Sequence, residues 1–420
     1  MPLEEIYKLF LSCPNGFSTD TRKDIEGSFF IALKGESFDG NKYALEALSK
    51  GAAFAVVDDA SFRDQDSRII LVPDTNEFLA KLAKYHREKL AIPIICIGGS
   101  NGKTTTRDMT VALLREKYNV STNFENENNI FGISYTILRT KPDHELLVLE
   151  IGSNHLGEHA QLLEISSPDY LMLTNMGRDH LGEYGGIENA EKENFELYDY
   201  AKKNNKKVFV SAFEKDLARK AESLGLKSIV FDSFEPIPGL NISFEYEEET
   251  IHLPIFGEYM IKNVSASVAI AREFKLNTQD IKNGLKKIKP VRLRGEIIDH
   301  EGNTLVLDCY NSNPSSLLAA LDSFSKNSKK PNAVVLGDMR ELGEFAEAEH
   351  RAIVQGLPKY GFDLVILVGE NFLKLEDEHD YKVFPAYPQA KEFIENLHLK
   401  NYQILVKGSR GEKLEKIFFS

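Results

Sequence analysis

The run GGSNGKTTT at 98–106 follows an apolar stretch and precedes a helical one, the setting a phosphate-cradling loop requires. Gly99 and Gly102 permit a tight backbone path that turns N–H groups toward phosphate oxygens, with Ser100, Asn101 and Thr105 completing the cradle. Lys103 adds a cation for the outer phosphates, and the Thr104 hydroxyl can ligate Mg²⁺. The alternative reading is a glycine-rich turn with an exposed lysine. The spacing narrows the class. A common P-loop has glycine six residues before its lysine, and here that place is Ile97. No NKxD guanine-reading motif follows, which argues against a GTPase. The apolar run 146–149 ends in Glu150 and not in an aspartate, so motor and transporter ATPases also fit poorly.

Two further groups stand where a sheet would present them. Glu150 closes one strand-like run, and His180 comes shortly after another, in LTNMGRDHLGEYGG. Ligands of parallel α/β sheets sit at the carboxyl ends of strands. A carboxylate and an imidazole there, beside Lys103, could hold a metal that bridges nucleotide and substrate. His180 taken alone reads more readily as a loop or core histidine than as a ligand, and its company with Lys103 and Glu150 reverses that reading. His86, His144, His252, His300, His379 and His398 lack such company and read as structural or surface residues.

The elements that must position these groups fall into three blocks, an α/β chain throughout. Residues 1–86 mix strand-like runs at 29–33, 53–57 and 69–72 with helical stretches, the helix at 77–90 leading to Ile92-Pro93. Residues 87–289 alternate strand runs (146–151, 170–174, 207–210, 228–231) with helices, which predicts a largely parallel sheet covered by helices. Residues 290–420 repeat the alternation as a second doubly wound unit: strands at 304–307, 332–336, 363–368 and 403–406, helices at 315–324 and 344–357.

The totals bound the rest. A chain of 420 residues exceeds one ordinary core. Its net charge of −13 argues against a general nucleic-acid or anionic-membrane binder, though not against an anionic small substrate. No apolar run approaches the ~20 residues that span a bilayer, and the start MPLEEIYKLF lacks signal-peptide order. Cys13, Cys96 and Cys309 are scattered without a framework and read as buried free thiols, which places the chain in the cytoplasm.

With these motifs in order, the chain resembles the Mur ligases over nearly its whole length. The loop at 98–106 is similar to their TGTNGKTT-type loop, Glu150 to their magnesium-binding glutamate, and 174–181 to their TN…DHL segment. STDTRK at 18–23, the run at 29–52 and ENENNIFGISYTIL at 125–138 resemble segments of the branch that attaches D-alanyl-D-alanine. So do LDCYNSNPSSLLAAL at 307–321, VLGDMRELGEFAEAEH at 335–350 and KGSRGEKLEKI at 407–417. The resemblance implies three domains: a small α/β domain for the UDP end of the substrate (1–86), a central P-loop ATPase domain (87–289), and a Rossmann-like acceptor domain (290–420). It implies ATP and Mg²⁺ as cofactors, with Thr104, Glu150 and His180 on the metal. The substrates would be UDP-N-acetylmuramoyl-tripeptide and D-alanyl-D-alanine, joined through an acyl phosphate, and a monomer is the expectation.

The same resemblance places Asp20 and Arg22 on the uridine diphosphate, and Asn126, Asn128 and Asn129 on peptide and sugar, where a plain polar loop is the other reading. Asn263, Arg294 and Asp308 would meet ATP; Asn311, Asn313, Lys407, Ser409 and Arg410 would meet the acceptor side. A family His-Asn pair is replaced by Tyr259-Met260. Mur ligases commonly carry a lysine that takes up CO₂ to become a metal-binding carbamate, and the matching position is Asn194. Lys192 is near, but two helix positions lie about 200° apart, so a local irregularity or an alignment slip would be needed to bring it in. A different amino acid ligase of the superfamily, and a P-loop regulatory NTPase that makes no bond, are the competing expectations.

Overall fold

The computed structural model describes residues 1–124, 126–177 and 181–419. The chain forms two compact units: Met1–Cys96, Tyr118–Ser153 and Glu158–Tyr170 in one, and Ile97–Lys117, Asn154–Gly157 and Leu171–Ser420 in the other. It passes from the first to the second inside the strand Ile94–Gly98.

In the first unit, four parallel strands pair in the order Phe17–Ser18, Phe29–Ile31, Phe54–Val57 and Ile69–Leu71. Phe30, Ala55 and Val57 from these strands close a core with Ala44, Ala47 and Leu48 of the helix Ala44–Ser49. The helix Thr75–Lys89 begins where the Asp74 side chain accepts the Glu77 N–H at 2.8 Å, and buries Phe78, Leu79, Leu82 and His86 on one face. His86 is structural, as expected. Its Nε2 lies 2.9 Å from the Thr140 carbonyl, which can only accept, so Nδ1 is left to accept from the Tyr7 hydroxyl at 2.9 Å. Burial lowers its pKa and keeps it neutral. Strand Val120–Thr122 runs parallel to Leu146–Glu150, whose five residues are all buried.

In the second unit, the helices Lys103–Leu114 and Ile261–Glu273 lie side by side, pinned where the Thr110 hydroxyl meets that of Ser267 at 3.2 Å. Strands Lys207–Ser211 and Lys227–Phe231 pair in parallel. An eight-stranded sheet then runs in the order Asn241–Tyr246, Glu249–Phe256, Glu296–His300, Asn303–Asp308, Gln403–Lys407, Asn332–Gly337, Leu364–Val368, Lys382–Phe384. Its first four strands are antiparallel neighbours and its last five are parallel, Asn303–Asp308 belonging to both runs. Successive residues of the parallel strands feed opposite layers. Val306, Val334, Leu336 and Leu405 pack with Leu317, Leu321 and Phe324; Leu305, Leu307, Val335 and Val406 pack with Ala390, Ile394 and Ile417. This doubly covered sheet is the expected Rossmann-like unit. Two of its strands, Asn241–Tyr246 and Glu249–Phe256, precede residue 290. Cys13, Cys96 and Cys309 are free and buried, and no helix among the described residues is long and apolar enough to cross a membrane.

Candidate active site

The phosphate loop is built by backbone geometry that few residues tolerate. Strand Ile94–Gly98 is buried along its length, and the chain then turns through Gly99 at φ 115° and Gly102 at φ 82° into the helix Lys103–Leu114. A Cβ on Gly99 would lie 2.5 Å from the Thr174 hydroxyl, and one on Gly102 would lie 2.7 Å from Nδ2 of Asn263. Both positions therefore demand glycine for space as well as for φ. The first-turn N–H groups of the helix have no partner within it and mark an anion-binding end. Lys103 extends back over the loop, its ammonium donating to the carbonyls of Gly99 at 2.6 Å and Ser100 at 2.9 Å. Ser100, Thr104 and Thr105 are buried around it.

Asn175, just after the strand Tyr170–Leu173, fixes the loop tip. Its Oδ1 accepts the Asn101 N–H at 3.0 Å and its Nδ2 donates to the Asn101 carbonyl at 2.8 Å. The sequence reading passed over this residue, although it stands in the TN pair it singled out. His180 lies outside the described residues.

Four candidates gather at the ends of neighbouring strands in the same unit. Lys407 and Asp308 close adjacent parallel strands in register, and the Lys407 ammonium reaches Oδ2 of Asp308 at 2.7 Å. The Tyr259 hydroxyl donates to the same oxygen at 3.3 Å. The Ser409 hydroxyl accepts the Arg340 N–H at 3.0 Å, and Arg410 pairs with Glu415. Asn311 is exposed and its Oδ1 accepts the Ser312 N–H. Asn313 caps the helix Pro314–Asn327. The Arg294 guanidinium stacks over the Tyr310 ring at 4.0 Å, and its Nε is buried with no hydrogen-bond partner among the described residues. An orphan donor of this kind fits an absent anion. Beside it a cleft of about 280 Å³ is lined by Thr105, Asp108, Met109, Ile255 and Lys289.

The first unit holds the remaining candidates. Glu150 is buried at the end of its strand. Asn123 binds both of its backbone groups at 2.9 Å, and Asn128 Nδ2 donates to its carboxylate at 3.1 Å. Asn123 is another residue the sequence reading missed; only its place in the same polar run could have signalled it. Asn129 spends its Oδ1 on the Gly132 N–H as cap of the helix Ile130–Arg139, and Asn126 takes a left-handed φ of 65°. Arg22 grips Asp20 through two parallel bonds of 2.8 Å. These bonds hold the Asp20 carboxyl well below its usual range.

A phosphate loop at a strand end, with a second doubly wound sheet bearing charged strand ends, defines a nucleotide-binding α/β enzyme. Residues 15–87 match the Mur ligase family catalytic domain, 97–271 the Mur ligase middle domain, and 293–410 the Mur ligase glutamate ligase domain. The chain is 31% identical to the UDP-N-acetylmuramoyl-tripeptide–D-alanyl-D-alanine ligase of Bacillus subtilis, covering 96% of this chain and 92% of that one. The Haemophilus influenzae enzyme of the same name is also 31% identical, with the same coverage. The crystal structure of MurF from Acinetobacter baumannii superposes with a TM-score of 0.84 at 26% identity, over 99% of this chain and 97% of that one. MurF of Thermotoga maritima, solved with ADP, shares the fold at a TM-score of 0.82 and 23% identity, over 96% and 95%. The chain belongs to the Mur ligase family.

Proposed function

We propose that this chain joins D-alanyl-D-alanine to UDP-N-acetylmuramoyl-tripeptide in an ATP-dependent reaction of peptidoglycan precursor synthesis. The observation that carries the reading is the phosphate loop 99–105 on a chain that aligns end to end with ligases of that name. A carboxylate oxygen of the tripeptide attacks the γ-phosphorus of ATP, ADP leaves, and an acyl phosphate forms. The dipeptide amine then attacks the acyl carbon and phosphate departs. No side-chain nucleophile is required; the protein's work is to place reactants and stabilise charge.

In this reading Gly99, Ser100, Asn101, Gly102 and Thr105 hold the phosphates, Lys103 meets the transferring phosphoryl group, and Arg294 offers its unpartnered Nε–H to the nucleotide. Asn263 and Asp308 serve the nucleoside side, and Asp20, Arg22, Asn126, Asn128 and Asn129 the UDP-linked substrate. Asn311, Lys407, Ser409 and Arg410 border the acceptor. Among the described residues no group of three or more His, Cys, Asp or Glu is placed to hold a metal. The buried Glu150 carboxylate and Thr104 hydroxyl are oxygen donors of the kind Mg²⁺ takes, one or two from the protein together with water and phosphate. Thr104 and Glu150, with His180, would hold it, and it would screen the repulsion between carboxylate and triphosphate. The chain would act as a monomer in the cytoplasm.

Phosphate release against a matrix of UDP-muramoyl peptides and acceptors tests the reading. Release should require both peptides, and D-alanyl-D-alanine should exceed D-alanine, L-lysine and glutamate in kcat/KM by a factor on the order of 100, because a site that pairs a peptide unit discriminates strongly against molecules lacking it. Preference for a single amino acid would assign the chain to another branch of the superfamily. Release without any acceptor would make it a regulatory NTPase.

The same assay addresses Asn194, the position matched to the lysine that Mur ligases commonly carry as a carbamate. Asn194 is buried in the regular helix Ile187–Asn204, its amide donating to the Ala190 carbonyl at 2.9 Å, while Lys192 is exposed. An amide takes up no CO₂. Turnover should therefore be indifferent to rigorous CO₂ depletion and to added bicarbonate. Loss on depletion that bicarbonate restores would show a carbamate, with Lys192 the first residue to replace.

A further inference from the structure

We infer that Asn313 is a positioning residue that ties the acceptor-side strand-end loops to the tip of the phosphate loop through Asn101, and is not a substrate ligand. The inference rests on the ligase reading only for its kinetic readout. Asn313 is buried, and its amide has a fixed orientation. Oδ1 accepts the Ser316 N–H at 2.8 Å while the Ser316 hydroxyl accepts the Asn313 N–H at 3.1 Å, a reciprocal capping box. Because Ser316 presents a donor there, the amino end of Asn313 must face the other way. It donates to Oδ1 of Asn101 at 2.8 Å.

Asn101 is the residue whose backbone Asn175 already clamps on both sides. The tip is thus held by its backbone from the strand Tyr170–Leu173 and by its side chain from the helix Pro314–Asn327. A second junction lies in the same unit, between the helix Leu181–Tyr184 and the loop that follows the strand Asn332–Gly337. The Gly182 N–H donates to the Glu341 carbonyl at 3.2 Å, and a Cβ on Gly182 would sit 2.6 Å from the Gly343 nitrogen. Two points of docking, one of them on the loop tip, make the order of the phosphate loop depend on the acceptor-side loops being seated.

A double-mutant cycle on the full chain tests this. Asn313→Ser retains a good cap but is too short to reach Asn101. Asn101→Ala removes the acceptor and leaves the backbone clamp. By calorimetry each variant should weaken AMP-PNP binding by about fivefold to tenfold, and the double variant no more than the weaker single, because one shared bond is lost in all three. In turnover, kcat should fall while KM for D-alanyl-D-alanine stays within about twofold. Gly182→Ala, which favours the local helix, should weaken AMP-PNP binding through the second junction. Multiplicative losses in the cycle would overturn the inference. So would a tenfold rise in dipeptide KM for Asn313→Ser with AMP-PNP binding unchanged. If the wild type released phosphate without D-alanyl-D-alanine, the ligase reading would fall and the binding cycle would still decide the role of Asn313.

Discussion

Lys103→Ala is expected to lower kcat by about 10² to 10³, the cost of deleting one preorganised charge from a phosphoryl-transfer site. The side chain is half-buried at the first turn of the helix Lys103–Leu114, and its ammonium donates to two loop carbonyls. Those are neutral acceptors, weaker than a phosphate oxygen bearing charge. As the γ-phosphoryl group moves from ADP to the tripeptide carboxylate, negative charge collects where the lysine can reach, so its contribution grows toward the transition state. Stability should fall by no more than about 1–3 kcal/mol, the cost of taking the ammonium donor away from the carbonyls of two buried residues. Arginine is no substitute, because its planar fork cannot follow the path of an ammonium over the loop. Steady-state phosphate release and a thermal denaturation curve check both halves. Turnover within tenfold of the wild type would remove Lys103 from the chemistry.

The loop was legible because a backbone turn with two left-handed glycines admits few sequences, so its geometry is written into residue type. The parallel strands of the last block were legible for a related reason: buried on both faces, Asn332–Gly337 and Leu364–Val368 read as short apolar runs. The hairpin Asn241–Tyr246 and Glu249–Phe256 was not, although Ile242, Phe244 and Tyr246 alternate inward. Its turn is made by Glu247 and Glu248 at φ 48° and 63°, where Asn-Gly would ordinarily announce a hairpin. Side-chain commitments were the other hidden part. Asn129 and Asn313 read as polar residues waiting for substrate, yet each spends an oxygen on the helix that follows it. Asparagine serves caps and ligands by the same chemistry, and only the position of the next N–H distinguishes the two uses.

Lys407→Met is expected to cost about 3–5 kcal/mol of stability, the penalty for stranding one member of a buried ion pair. The side chains of Lys407 and Asp308 are 2% and 9% exposed, and their charged atoms lie 2.7 Å apart. They are register partners at the ends of parallel strands, so neither can swing into solvent without opening the sheet. With the ammonium gone, Asp308 would keep one short-range side-chain partner among the described residues, the Tyr259 hydroxyl at 3.3 Å. Burial, and then the charge of Asp308, push the Tyr259 pKa well above 10, so the phenol stays a neutral donor. One neutral donor replaces little of the solvation the carboxylate gave up. The double variant Lys407→Met with Asp308→Asn removes both charges and should recover at least about half of the loss, because a buried pair adds little net stability over a neutral isostere. Chemical denaturation of the two variants beside the wild type measures this. A single variant within about 1 kcal/mol of the wild type would show that Asp308 finds water or another donor there. With folding restored, the ATP KM of the double variant reads the proposed contact of Asp308 with the nucleoside, and its dipeptide KM reads whether Lys407 also reaches the acceptor.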